Sequence, residues 1–362
     1  MMTRLMSSWS AVLAALQVMP AGASGQEVRG TVRDASGAPV AGAVVELHAG
    51  DRAVARVLAG DRGQYRLTAP EGGTYRVRVL RIGYRRVNGA TLAVPDRGSL
   101  AHDVVASSDA VRLADMVVRV DRRCLVRPAE GAQAAALWEE ARIALFAAEL
   151  AVDAGYWART RQFEKELDRR SGRPSFERVW TEDRTVYGSP FSALPAPVLA
   201  ESGYVRPSGD TVAYYAPDAR VLVHDAFLDT HCFGVDESLV NQGLIGLRFE
   251  PVDELRHPDV QGTLWLDIET AELRWLDYVY TRLPRIVPRE ARGGRVDFRR
   301  LSDGGWIIQA WRIRMPVYTI TRRKREAMPF GGPREYQQRT VTAIRERGGE
   351  VVAIDRRRPS PE

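Results

Sequence analysis

Four side chains able to bind a metal or move a proton crowd into one stretch of this 362-residue sequence: His224, Asp225, Asp229 and His231. Imidazole nitrogens and carboxylate oxygens together suit zinc or another divalent ion, and the same residue types suit proton transfer. The spacing of the two histidines fits two strands, or a strand and a turn. The stretch also runs straight into Cys232. A polar loop at one end of a crosslink accounts for the same residues, and that structural reading is the stronger one. The four stand as candidate metal ligands, or as the seat of a hydrolase with an unfamiliar site. No metal and no cofactor is assigned.

Other chemistries lack their residues. The five histidines are His48, His102, His224, His231 and His257, and none opens an H-E-x-x-H or H-x-x-E pair. There is no G-x-S-x-G elbow, no phosphate-binding G-x-x-x-x-G-K-[ST] loop and no G-x-G-x-x-G after a strand. The only two cysteines, Cys124 and Cys232, do not form a C-x-x-C redox pair. An even pair in an exported chain predicts a disulfide. It would close a loop of roughly a hundred residues, worth about 4–5 kcal/mol in the chain-entropy account. Two buried thiols are the alternative.

Aromatic and basic residues offer binding rather than catalysis. Trp265, Tyr278 and Tyr280 are candidate ligand-binding residues, placed by alternation on the face opposite Leu264, Leu266 and Val279. Arg322-Arg323-Lys324-Arg325 is the one dense basic run, a solvated edge or a contact for anionic headgroups or glycans. The net charge is +6, yet of 52 basic residues only Lys165 and Lys324 are lysine, and the arginines are spread along the chain. That distribution argues against nucleic acid as a partner.

The elements that must position these residues are mostly strands. Val28, Gly30 and Val32 alternate with polar residues. Asp34-Ala35-Ser36-Gly37 is a turn cluster. Val44–Leu47, Tyr65–Leu67 and Tyr75–Val79 follow as short strands, the spacing of a β-sandwich. The run V-x-G-x-V-x-D-x-x-G-x-P-V-x-G-A-x-V-x-L, then G-x-Y-x-L, then Y-x-V-x-V-x-x-I-G-Y, resembles the carboxypeptidase regulatory-like domain. The matching positions run from Val28 to Tyr84. The resemblance implies a transthyretin-like sandwich and an accessory module of secreted proteins; none of the matching residues is catalytic.

Ahead of it, Arg4, the apolar Leu5–Met19 and Ala21-Gly22-Ala23 read as a signal peptide over residues 1–23. Behind it, Val111–Val118 resembles the segment that follows this sandwich in TonB-dependent receptors. Only residues 119–362 remain after it, and a 22-strand barrel needs about 220 residues before any loop is counted. Residues 108–132 are expected to be a linker. Residues 133–152 form a helix, with Trp138, Ala141, Leu145, Ala148 and Val152 on one face and Leu137, Ala144 and Ala151 widening it.

From Tyr156 onward the period is 2. Hairpins are expected at Tyr156–Arg184, Thr263–Thr281 and Arg295–Met315, with strands at Val212–Tyr215, Val221–Val223 and Ile245–Phe249. A last hairpin is expected to turn at Gly348-Gly349. The pattern G-T-L-W-L-D-x-x-T-x-E-L-R-x-L-x-Y-x-Y at 262–280 resembles strand pairs of lipoprotein-carrier-like half-barrels. The C-terminal region as a whole resembles a family of secreted proteins with the same sandwich in front.

The expected fold is mainly β: an Ig/transthyretin-like sandwich over 27–107, then one amphipathic helix on a curved antiparallel meander sheet over 133–358. No segment after the signal is long and apolar enough to span a membrane. The expected function is a non-enzymatic binding or adaptor protein of the periplasm or outer membrane, exported across the inner membrane, with an envelope protein, glycan or lipid as partner. A hydrolase near His224–His231 and a carbohydrate-binding module are the alternatives.

Overall fold

The computed structural model of the chain describes residues 26–107, 113, 125–126, 132–153, 156–184, 191, 193–208, 211–252, 256–325 and 334–356. The signal segment at 1–23, most of the linker at 108–132 and Cys124 lie outside the described residues.

Eight strands build the N-terminal sandwich: β1 (Gln26–Arg33), β2 (Val44–Ala49), β3 (Arg52–Leu58), β4 (Gln64–Ala69), β5 (Gly73–Leu80), β6 (Val87–Val94), β7 (Ser99–Ala101) and β8 (Val104–Val105). One sheet runs β4-β1-β7, with β8 also on β1; the other runs β3-β2-β5-β6. The alternating residues Val28, Val32, Val45, Leu47, Tyr65, Leu67, Tyr75, Val77 and Val79 fill the space between them. Strand β3 is an element the sequence reading passed over, because Arg52–Leu58, with Arg52 exposed and the other six residues half-buried, shows no clean alternation.

The second half has β9 (Leu125–Val126), α1 (Ala132–Asp153), β10 (Tyr156–Asp168), β11 (Pro174–Arg184), α2 (Ala196–Ser202), β12 (Val205–Ser208), β13 (Thr211–Tyr214), α3 (Ala219–Leu222), α4 (Asp225–Leu228), β14 (His231–Asp236), β15 (Leu244–Pro251), β16 (Val260–Asp267), β17 (Leu273–Tyr280), β18 (Gly293–Arg300), β19 (Trp306–Arg325) and β20 (Arg334–Arg356). Ten of these strands make one antiparallel sheet, in the order β11-β10-β20-β19-β18-β17-β16-β15-β14-β9. Strands β12 and β13 pair separately.

Helix α1 lies on one face of this sheet. Leu137, Ala141, Ala144 and Leu145 are buried in a single core with Phe233, Leu247, Phe249, Leu264 and Leu276. The helix is buried nearly all round, a pattern that requires cover on more than one side. The second cover is the sandwich. Val44 and Leu80 belong to the same core, and the Arg56 guanidinium stacks 3.7 Å from the Phe146 ring centroid. Gly42, at φ +70°, meets Gly304 so closely that an added Cβ would sit 2.0 Å from the Gly304 carbonyl oxygen. The order through the molecule is therefore sandwich, helix, sheet.

Three expectations need correction. Val221 and Leu222 lie in a helical turn rather than a strand, because the Asp218 carboxylate accepts the Val221 N–H at 2.9 Å and caps it. Gly348-Gly349 is not a turn: β20 runs straight through it. A Cβ at Gly348 would come within 2.7 Å of the Phe163 ring, and one at Gly349 within 2.6 Å of the Trp311 ring, so the missing side chains make room for neighbours in the sheet. The third is the disulfide. Among the described residues there is no Sγ–Sγ pair, since Cys232 is the only cysteine they include and Cys124 lies outside them. The described residues hold no free cysteine either.

Candidate functional site

The four chemistry-bearing residues of the 224–231 stretch are not brought together. His224 is the N-cap of α4, its Nδ1 accepting the Ala226 N–H at 3.0 Å. Asp225 opens that helix and Asp229 ends it. His231 turns inward onto β14 and is 1 % exposed. Its Nδ1 faces the Phe227 carbonyl oxygen at 3.0 Å, and its Nε2 faces the Val260 carbonyl oxygen at 3.1 Å and Asp259 Oδ1 at 3.3 Å. The ring also stacks on Phe227, 3.9 Å between centroids. With both nitrogens engaged, His231 offers none to a substrate. Among the described residues no three His, Cys, Asp or Glu side chains are grouped as metal ligands.

Asp259, which the sequence reading did not single out, is fully buried and ties this region together. Its Oδ1 accepts the Val260 N–H at 2.7 Å, and its backbone N–H donates to Thr281 Oγ1 at 3.2 Å. The second oxygen, Oδ2, faces His257 Nδ1 at 3.9 Å. His257 Nε2 lies 3.0 Å from the Ala200 carbonyl oxygen. The cluster joins β14, the start of β16 and α2, a bracing role.

The three aromatic candidates divide between two faces. Tyr278 and Tyr280 are 2 % exposed and lie in the α1 core with Leu264 and Leu266. Trp265 lies on the other face, opposite Trp275 at 6.1 Å between rings. The expected grouping fails because alternation along β16 and β17 puts Gly262 opposite Tyr278 and Val260 opposite Tyr280, all toward the core. At 6 % exposure Trp265 presents no open ring. Burial pushes the Tyr278 and Tyr280 hydroxyls far above the ordinary tyrosine range, so both stay protonated. The basic run at 322–325 falls in β19, at the end of the long β19–β20 ribbon.

The face of the sheet turned away from α1 carries a different population. One cross-strand row, read from β15 to β10, is Arg248, Thr263, Asp277, Arg295, Arg312, Gly348 and Phe163. The next outward-facing row includes Gln261, Val279, Gly293, Arg314, Glu346 and Lys165. In this second row Gly293 lies between Val279 and Arg314, packed so closely that an added Cβ would sit 2.0 Å from the Tyr278 carbonyl oxygen. A depression of about 420 Å³ opens there, and Arg289 and Arg292 complete its wall from the segment before β18. Its lining holds six arginines and two carboxylates, Glu250 and Asp277.

The arginines differ in what already holds them. Arg295 bonds Asp297 Oδ1 at 2.8 Å, lies 4.0 Å from Asp277 and stacks 4.2 Å over Trp275. Arg314 bonds Glu346 at 2.5 Å, and Arg292 donates to the Val287 carbonyl. Arg248 and Arg312 are exposed and, with Arg289, have no carboxylate within ion-pair distance among the described residues. Sequence reasoning missed this set. The signal was present as arginine at alternate positions, Arg312 and Arg314 on one strand and Arg295 on its neighbour, out of phase with the apolar residues.

At the seam between sandwich and helix, Glu140 is 4 % exposed and accepts the Gly83 N–H at 2.8 Å. Burial, aided by the neighbouring Glu139 charge and opposed by the Gly83 bond and Arg86, raises its pKa to about 7. Glu46 on β2 behaves oppositely. Burial works to raise its pKa, but contacts with His48 and Arg56 outweigh it and hold the carboxyl below its ordinary value.

No helix among the described residues is long and apolar enough to cross a membrane. No curated protein matches the chain. Residues 27–107 match the family described as the carboxypeptidase regulatory-like domain, so the chain carries that domain at its N-terminal end.

Proposed function

We propose that this chain is a non-enzymatic binding protein of the bacterial envelope, exported by its N-terminal segment and active in the periplasm or at the outer membrane. The binding surface is the outward face of the ten-stranded sheet over β15–β19. The carboxypeptidase regulatory-like sandwich acts as a brace for that sheet, reaching it through α1 and through the Gly42–Gly304 contact.

The observation that carries this reading is the contrast in what each face has left to offer. The helix and sandwich consume the inner face. The outer face keeps a depression ringed by guanidinium groups, three of them without a carboxylate partner among the described residues. Exposed, uncompensated charge in a concavity supports recognition of a ligand. Of the residues that suggested a hydrolase, His224 is spent on helix capping and His231 on buried bonds.

The test is capture of envelope components by the purified chain and by Arg248→Glu/Arg312→Glu, with identification by mass spectrometry. Retention by the wild type and loss in the variant are expected. Equal retention by both, or turnover by the wild type on a hydrolase substrate panel, contradicts the reading.

A further inference from the structure

We propose that the depression over Gly293 is a site for a small polyanion, a molecule bearing two or more phosphate or carboxylate groups. The inference rests on the binding reading of the outer face and gives that face a ligand class.

Four observations lead there. First, the lining charge is lopsided: six guanidinium groups against Glu250 and Asp277. Second, Arg248, Arg289 and Arg312 are the three with no carboxylate partner among the described residues, and they come from β15, the segment before β18, and β19. They thus approach the depression from separate parts of the chain. Third, Arg295 stands directly opposite Arg312 across the β18–β19 pair. Like charges at directly opposed positions destabilise a sheet, and an anion held between them removes that repulsion. Fourth, a volume of about 420 Å³ falls in the range of small-molecule sites, roughly 300–1,000 Å³.

The residue type narrows the ligand. A guanidinium presents a planar fork of donors that matches the paired oxygens of a carboxylate or phosphate. Three such forks at separate points of one depression favour several anionic groups on one molecule.

The adjoining depression on the same face supplies an internal control. It measures about 570 Å³ and is lined by Arg161, Lys165, Arg295 and Arg312. Here acids answer three of the four bases: Glu350 takes Arg161 at 2.5 Å, Glu177 takes Lys165 at 3.0 Å and Asp297 takes Arg295 at 2.8 Å, and the fourth, Arg312, is shared by the two depressions. The excess of positive charge therefore belongs to the Gly293 depression and not to the whole face.

The experiment is calorimetric titration of the purified chain with pyrophosphate and, separately, citrate. The wild type is expected to bind at least one of them with Kd at or below about 1 mM. Arg248→Ala/Arg312→Ala is expected to bind about tenfold more weakly or worse, and Arg161→Ala to match the wild type. Preference for one probe tells phosphate from carboxylate ligands. Should the double variant fail to fold, Arg312→Lys keeps the charge, removes the fork, and is expected to weaken binding several-fold. Absence of binding to either probe, undiminished binding in the double variant, or an equal loss in Arg161→Ala overturns the proposal. A chain that binds neither probe yet still captures an envelope component through Arg248 and Arg312 loses the ligand class alone. Capture indifferent to those arginines removes the binding reading as well.

Discussion

The two faces of the ten-stranded sheet use the same strands for opposite ends. On the inner face Leu247, Phe249, Leu264, Leu276 and Phe233 are buried against α1, and the sandwich closes over the helix from the other side. On the outer face the intervening positions carry Arg248, Thr263, Asp277, Arg295 and Arg312. Strand alternation makes this division unavoidable, since neighbouring residues point to opposite sides. The lesson is that apolar burial fixes the scaffold on one side and leaves the other free to be chosen for recognition. The sequence pointed to one amphipathic helix over this sheet, on its inner side. In this chain α1 fills that side.

The largest expected effect breaks the inner face. Phe249→Ala removes a fully buried ring in contact with Phe227 and His231. Stability should fall by about 3–5 kcal/mol, read as an earlier midpoint in urea. A loss under about 1 kcal/mol would mean that the helix does not seal the inner face.

Next comes the seam between sandwich and sheet. Gly42→Ala places a Cβ against the Gly304 carbonyl at a position with φ +70°. A loss of about 1–3 kcal/mol is expected, measured by thermal unfolding. An unaffected variant would show that the sandwich does not press on the sheet through this contact.

Glu140 sharpens the same seam through pH. Its folded pKa of about 7 lies above the ordinary 4.5. Between those values the folded chain keeps a proton that the unfolded chain has released. Stability therefore falls as pH rises through that window and stays at its lower level above it. Glu140→Gln keeps an acceptor for the Gly83 N–H and removes the charge. It should stabilise the chain at pH 8, by on the order of 1–3 kcal/mol, and flatten the slope between about pH 4.5 and 7. A variant that keeps the wild-type slope would place the titration elsewhere.

The smallest expected effect on stability is on the outer face. Arg312→Ala should leave stability within about 0.5 kcal/mol of wild type, since its guanidinium has no carboxylate partner among the described residues. A rise is the natural direction, because Arg295 loses a like-charged neighbour. A marked loss would make the outer arginines part of the scaffold.

Much of this architecture was legible in the residues. The sandwich followed from the Val28–Tyr84 pattern, and the helix appeared at 132–153 against an expected 133–152. The hairpins at 156–184 and 260–280 followed from period-2 alternation. What stayed hidden depended on partners distant in sequence. Gly348-Gly349 read as a turn because nothing local announces Phe163 and Trp311 beside it. Trp265 and Tyr278 sat on one assumed face because the pairing register of β16 and β17 is not written in either strand. The arginine row was invisible for a related reason: its arginines lie in three strands and meet only through register. The 224–231 stretch drew attention by local density, yet its two histidines go to capping and burial instead.

The most direct measurement is arginine footprinting with phenylglyoxal, read by mass spectrometry with and without pyrophosphate or citrate. The account predicts fast labelling of Arg248, Arg289 and Arg312, slow labelling of Arg56 and Arg142 at the Phe146 seam, and protection of the first three by at least one of the two ligands. Protection at other arginines, or no difference between the outer face and the seam, would contradict the assignment of binding to the outward side of the sheet.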